Sequence, residues 1–169
     1  MTTQWLAPNF DAIDETLIKQ PWAVWRAEPD KARPGKYKKA PRCPRTDKHI
    51  SVNSCDQWSS FEAVKTAFNA KKHTGIGILL TGNELIGIDI DNRRELLLNR
   101  PELVAWIADV IASGTYIEQS PSGNGLRIFV KGTLPQGCNN KRGNLEIYDN
   151  LRFLTITGHL VRSIEEIEP

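Results

Sequence analysis

The sequence is poor in cysteine and lacks several patterns that would point to familiar chemistries. Cys43, Cys55 and Cys138 are too few, and odd in number, for a disulfide framework. With His49 they could be imagined around zinc, but the paired C-x-x-C spacing of a zinc knuckle is missing, so zinc is not expected. No run approaches the ~20 apolar residues of a membrane span. The most apolar stretch, Gly75 to Asp89, is short and contains Asn83 and Glu84. The opening MTTQWLAPNF has no charged segment leading into an apolar one, which argues against a secretion signal and for a reduced, cytoplasmic protein. A G-x-x-x-x-G-K-[ST] phosphate loop, internal repeats and low-complexity segments are also missing.

What is present suits one globular domain: 169 residues, 40% of them hydrophobic, enough to bury a core without covalent staples. The net charge of +2 names no partner, but its distribution is uneven. Lys31, Arg33, Lys36, Lys38, Lys39, Arg42, Arg45 and Lys48 face a single acid, Asp47, in one Pro-rich stretch. Arg127, Lys131, Lys141 and Arg142 fall in a second stretch, Gly123 to Leu145, without any acid. Charge runs of this kind are commonly solvated loops, so charge alone does not establish a nucleic-acid partner.

Aromatic and β-branched residues predict strands at Trp22 to Arg26, Tyr116 to Gln119, Leu126 to Val130, Asn144 to Tyr148 and Arg152 to Thr157, with a short one near Lys36 to Ala40. Gly75 to Thr81 and Leu85 to Asp91, joined through Gly82-Asn83, read as a hairpin. Asp56 or Ser59 would cap a helix running to about Asn69. A second helix is expected over Arg100 to Ser113, with Pro101 in its first turn and Gly114 ending it. The order β–α–ββ–α–βββ predicts an α+β domain with a mainly antiparallel sheet flanked by helices.

Three segments carry candidate chemistry. In Ile88-Asp89-Ile90-Asp91, strand alternation puts both acids on one side, where their oxygens could hold a hard cation such as Mg²⁺ or Mn²⁺. Ser120-Pro121-Ser122-Gly123-Asn124-Gly125 is a hydroxyl- and glycine-rich turn able to face phosphate, and Arg127 just beyond it offers a bidentate fork. Glu146, in Leu145-Glu146-Ile147-Tyr148-Asp149, would supply a third carboxylate; Asp149 competes for that role but suits the start of a turn. Three acids and a phosphate-facing turn are what nucleotidyl transfer on two metal ions requires.

The order D-I-D, then S-P-S-G-N-G-L-R-I-F-V, then L-E-I-Y-D and R-F-L-T-I-T-G resembles the primase-polymerase domain of phage- and plasmid-encoded replication proteins, within the archaeo-eukaryotic primase superfamily. P-W-A-V-W-R, K-Y-K-K-A-P and Q-W-S-S-F-E-A-V extend the resemblance over Gln20 to His159. It implies an RRM-like catalytic sheet and two Mg²⁺ or Mn²⁺ ions on Asp89, Asp91 and Glu146. It also implies that Ser120, Ser122, Gly123, Asn124, Gly125 and Arg127 contact the triphosphate of an incoming NTP or dNTP, with Arg152 a further candidate. Many members have His where this sequence has Arg127, a change that keeps phosphate binding and removes proton transfer.

The activity so implied is a DNA primase or DNA polymerase in phage or plasmid replication. Single-stranded template and primer would lie along Lys36, Lys38 and Lys39, with bases stacking on Tyr37 or Trp25. A continuation of the natural chain beyond Pro169, and a helicase as neighbour, would fit this type. Three rival readings are a catalytically inactive primase-fold module that binds single strands or origins, a metal-dependent nuclease, and a D-x-D glycosyltransferase. Trp5, Trp22, Trp25, Trp58 and Trp106 are assigned to packing before stacking, and His159 to the surface.

Overall fold

The computed structural model of the protein describes residues 4–70 and 72–167. In chain order the elements begin with α1 (Glu15–Ile18), β1 (Trp22–Trp25), β2 (Glu28–Pro29), β3 (Tyr37–Lys38), β4 (Pro41–Arg42), α2 (Phe61–Asn69) and β5 (Gly75–Thr81). They continue with β6 (Leu85–Ile90), α3 (Arg93–Asn99), α4 (Pro101–Ala112) and β7 (Tyr116–Gln119). The last four are β8 (Leu126–Lys131), β9 (Lys141–Arg142), β10 (Leu145–Tyr148) and β11 (Asn150–Ile156). The fold is α+β and its strand pairs are antiparallel, as expected.

The strands form two principal sheets, in the orders β11-β5-β1-β4 and β7-β8-β6-β10-β9, with β2-β3 as a separate ribbon. This corrects the hairpin expected of β5 and β6. β5 lies between β1 and β11, and β6 between β8 and β10, so neither strand has a free edge for the other. The connection takes Gly82 and Glu84 through positive φ, and the chain changes sheet there.

Alternation along β1 and β5 sends Trp22, Val24, Ile76, Ile78 and Leu80 to one face, where they pack with Leu154, Ile156, Phe61 and Val64. Each such side chain contributes about 1.5–3 kcal/mol on burial. The other face of this sheet is covered by Cys43, Ile50 and Trp58. Trp25 belongs to the buried interior. It is 1% exposed, and its indole N–H donates to the Ile76 carbonyl at 3.1 Å. Base stacking on Trp25 is thereby excluded.

In the second sheet Ile88, Ile90, Ile117, Leu126 and Ile128 pack against Leu97 of α3 and Ile107 of α4. Leu85 and Phe129 point the other way and join the core of the first sheet. The five-stranded sheet is therefore covered by helices on one face and by the first sheet over part of the other.

α2 is capped by Ser60, whose hydroxyl accepts the Ala63 N–H at 3.3 Å, one residue beyond the expected Ser59. α4 has Pro101 in its first turn and Gly114 at φ +72 past its end, as read from the sequence. α3 was not expected; its signal is Asn92 preceding Glu95 and the Leu96–Leu98 run. No helix among the described residues is long and apolar enough to cross a membrane.

Candidate active site

The site is built on register. Glu118, Arg127, Asp89, Glu146 and Lys141 are successive cross-strand partners on β7, β8, β6, β10 and β9. Directly paired residues share a face, so these five side chains form one charged row across the whole sheet. Its face is the one that carries Leu85, Gly87 and Phe129 onto the first sheet nearer the start of β6. The row begins where that apolar packing stops.

Arg127 is 5% exposed, and one terminal guanidinium nitrogen lies 3.3 Å from Asp89. Among the described residues its buried Nε and Nη1 have no hydrogen-bond partner, and Asp89 Oδ1, which faces Nη2 at 3.3 Å, accepts no hydrogen bond. Buried polar atoms left in this way are expected to have a use. Glu146 accepts from Lys141, from the Arg152 guanidinium at 2.7 Å and from the Tyr148 hydroxyl at 2.9 Å. Arg152 also lies over the Tyr148 ring, 4.3 Å from its centre. Burial pushes the Glu146 pKa up, but the hydrogen bonds from Lys141 and Tyr148 and the charges of Arg152 and Lys141 outweigh it, so the carboxyl sits below its usual range.

Asp91 lies one residue beyond β6, which ends at Ile90, and its N–H donates to the Asn144 carbonyl at 2.8 Å. It is exposed. Partial desolvation and the nearby Asp89 charge raise its pKa, against the pull of Arg127 and Lys39.

The turn between β7 and β8 is held largely by its own groups. Gly125 N–H donates to the buried Ser120 hydroxyl at 3.0 Å, Gly123 N–H to the Ser120 carbonyl at 2.8 Å, and the Ser120 and Ser122 hydroxyls are 3.4 Å apart. Gly123 sits at φ +74, and a Cβ on Gly125 would collide with the Ile90 carbonyl oxygen. The turn is thus pressed against the end of β6, and Asn124 accepts the Arg93 N–H at 2.8 Å. Asn124 is exposed and Ser122 half-buried at its tip.

Sequence reasoning missed two contributions to this neighbourhood. Residues 5–9 cross the site as a strap: Leu6 N–H donates to the Pro121 carbonyl at 2.8 Å and Asn9 N–H to Thr157 at 2.7 Å. Trp5 meets the rings of Trp25 and Tyr37 edge-on, with centres 5.6 and 5.4 Å apart. The Lys39 ammonium lies 5.3 Å from the centre of the Trp5 ring. Desolvation and the Arg127 charge lower the Lys39 pKa, while the Asp89 and Asp91 charges oppose them. The second contribution is Glu118, which reads in the sequence as an ordinary strand residue.

The remaining sequence candidates lie apart. Lys36 and Lys38 are exposed on the β2–β3 ribbon, and Lys38 is 3.8 Å from Asp30. Asp149 accepts the Leu134 N–H at 2.8 Å, on the strand parity opposite to Glu146. His159 is tied to the Ala7 carbonyl at 2.7 Å.

The donors offered by Asp89, Asp91 and Glu146 are the hard oxygens that Mg²⁺ and Mn²⁺ take, and Asp89 Oδ1, ion-paired to Arg127 but accepting no hydrogen bond among the described residues, fits such an ion. Among the described residues no three His, Cys, Asp or Glu side chains are already gathered closely enough to hold one. Glu146 is turned instead to Lys141 and Arg152.

No family model matches the chain. It is similar to a protein of Nitratiruptor phage NrS-1 named DNA Primase-polymerase, with 27% identity over 154 residues. That alignment covers 87% of this chain and 20% of the phage protein, so the chain spans about one fifth of that relative's length.

Proposed function

We propose that this domain is a template-dependent nucleotidyltransferase, a DNA primase or DNA polymerase acting on single-stranded DNA. The observation that carries the reading is the row Arg127–Asp89–Glu146, where two acids face each other between cations beside a serine- and glycine-rich turn. The similarity to the phage primase-polymerase over most of the chain supports it, as does the resemblance of the motif order to the primase superfamily.

In this reading Asp89, Asp91 and Glu146 hold two divalent cations, Mg²⁺ or Mn²⁺. Bound there, the ions supply Lewis-acid activation and charge neutralisation for attack of a 3′-hydroxyl on the α-phosphorus. Arg127 is the phosphate-binding group. Its planar fork has two nitrogens without a hydrogen-bond partner among the described residues to offer. The tip of the turn at Ser122, Gly123 and Asn124 is the part offered to the triphosphate, with Ser120 and Gly125 fixing its shape. Lys39 adds a second cation. Arg152 acts through Glu146 as its counter-ion. Template runs over the ribbon region that carries Lys36 and Lys38, with stacking on the half-buried Tyr37.

A second reading, a primase-fold module that binds single strands without catalysis, is favoured by one observation. Asp89 and Glu146 are already neutralised by Arg127, Lys141 and Arg152. Incorporation of labelled nucleotides on primed single strands of known sequence separates the two. Products whose composition follows the template support the transferase. Binding of the strand with no growth of the primer supports the module.

A further inference from the structure

Glu118 is the one acid of the row that the nucleotidyl-transfer reading leaves without a role. It is 0% exposed. Its carboxylate accepts the Thr157 N–H at 2.9 Å on one oxygen, and the Gly158 N–H and Tyr116 hydroxyl on the other, each at 2.7 Å. A buried carboxylate with several donors is expensive to desolvate and is retained where its charge is used. Burial pushes its pKa up, against the Tyr116 hydroxyl, the two backbone amides and Arg127. Burial prevails, so the pKa lies above the ordinary carboxylate range, while the backbone amides and the Arg127 charge favour the ionised form.

Two of those partners belong to the turn after β11. That turn also donates the Thr157 hydroxyl to the Gln119 carbonyl at 2.7 Å. Gly158 sits there at φ +68, where a Cβ would collide with the Asn9 carbonyl. Glu118 therefore ties the end of a strand of the first sheet to the edge strand of the second. On its other side its register partner is Arg127. Among the described residues Arg127 has a single direct partner, Asp89, and two buried nitrogens unpaired. A buried cation with so few bonds needs an anion behind it to stay in place.

We infer that Glu118 is a positioning residue of the site: its buried negative charge holds the Arg127 guanidinium in the row against Asp89, ready for an anionic ligand. The inference rests on the nucleotidyl-transfer reading for its effect on turnover, and on geometry alone for its effect on Arg127.

The test has a spectroscopic arm and a kinetic arm. In the wild type, the Arg127 Nε–H should give a resolved, slowly exchanging NMR resonance. In Glu118→Gln, which keeps one acceptor for the turn and removes the charge, that resonance should collapse toward those of solvent-exposed arginines while the Gly158 amide, which the remaining oxygen can still accept, stays protected. Tyr116→Phe, which removes one hydrogen bond and keeps the charge, should leave the resonance unchanged. In turnover, Glu118→Gln should raise KM for nucleotide by about tenfold with kcat altered less than about twofold, and should add nothing in an Arg127→Lys background. A freely rotating Arg127 in the wild type would overturn the inference without any variant. Strict additivity of the two substitutions would do the same. If the wild type incorporates no nucleotide, the transfer reading falls and the spectroscopic arm still decides the role of Glu118.

Discussion

Asp89 and Glu146 stand directly opposite each other on β6 and β10, two acids at a pairing where opposite charges are favoured. Their neighbours in the row, Arg127 and Lys141, are cations, so the like-charged pair is framed rather than isolated. An arrangement that opposes sheet stability at its centre and compensates for it at both sides is the pattern of a site built for a ligand.

The ion pairs of Glu146 give a pH signature independent of any ligand. Its folded pKa is depressed below the ordinary 4.5, so its contribution is complete above that value and is lost as pH falls through the folded pKa. Glu146→Gln should lower stability by about 1.5–3 kcal/mol at pH 7. The difference from wild type should shrink as pH drops below 4.5. Denaturant unfolding at several pH values measures this; an equal deficit at every pH would refute the ion-pair assignment.

Asp91 has the opposite sign. Its folded pKa is raised above 3.8, so the ionised form opposes folding, and this penalty is relieved as pH falls through the raised value. Asp91→Asn should leave the metal-free protein as stable as wild type or raise Tm by about 1 °C, while weakening Mn²⁺ binding. Thermal melts with and without Mn²⁺ check both parts.

Gly125→Ala tests the seating of the phosphate-facing turn. The new Cβ would meet the Ile90 carbonyl, a backbone atom that cannot swing away. A loss of about 1–3 kcal/mol is expected, with nucleotide affinity falling further than stability accounts for. Wild-type affinity in this variant would mean that the turn does not touch the nucleotide.

Much of this site was legible in the sequence, and the reasons differ by element. Period-two alternation was enough to put Asp89 and Glu146 on the polar faces of their strands, and the turn residues marked the segment before Arg127. Sheet membership was not legible. Gly82-Asn83 announces a reversal, yet nothing local says that β6 pairs with β8 and β10 rather than with β5. Packing, the role preferred for Trp25 over stacking, holds because β1 lies between β5 and β4. Glu118 and the strap at residues 5–9 were missed because their meaning lies in long-range contacts to Thr157, Gly158 and Pro121.

Template binding should show in its salt dependence. Replacing Lys36 and Lys38 with Ala should weaken single-strand binding and flatten the log–log salt slope by about 0.7 for each phosphate that is no longer neutralised. An unchanged slope would move the template off the ribbon.

The most direct test of the account is primer extension with Mn²⁺ on a single-stranded template, comparing wild type with Asp89→Asn. That substitution keeps the size of the side chain facing Arg127 and removes the charge proposed to bind metal. The account predicts template-directed extension by the wild type and a loss of at least about a hundredfold in the variant, with single-strand binding retained. Extension by Asp89→Asn at the wild-type rate would contradict the assignment of catalysis to this row.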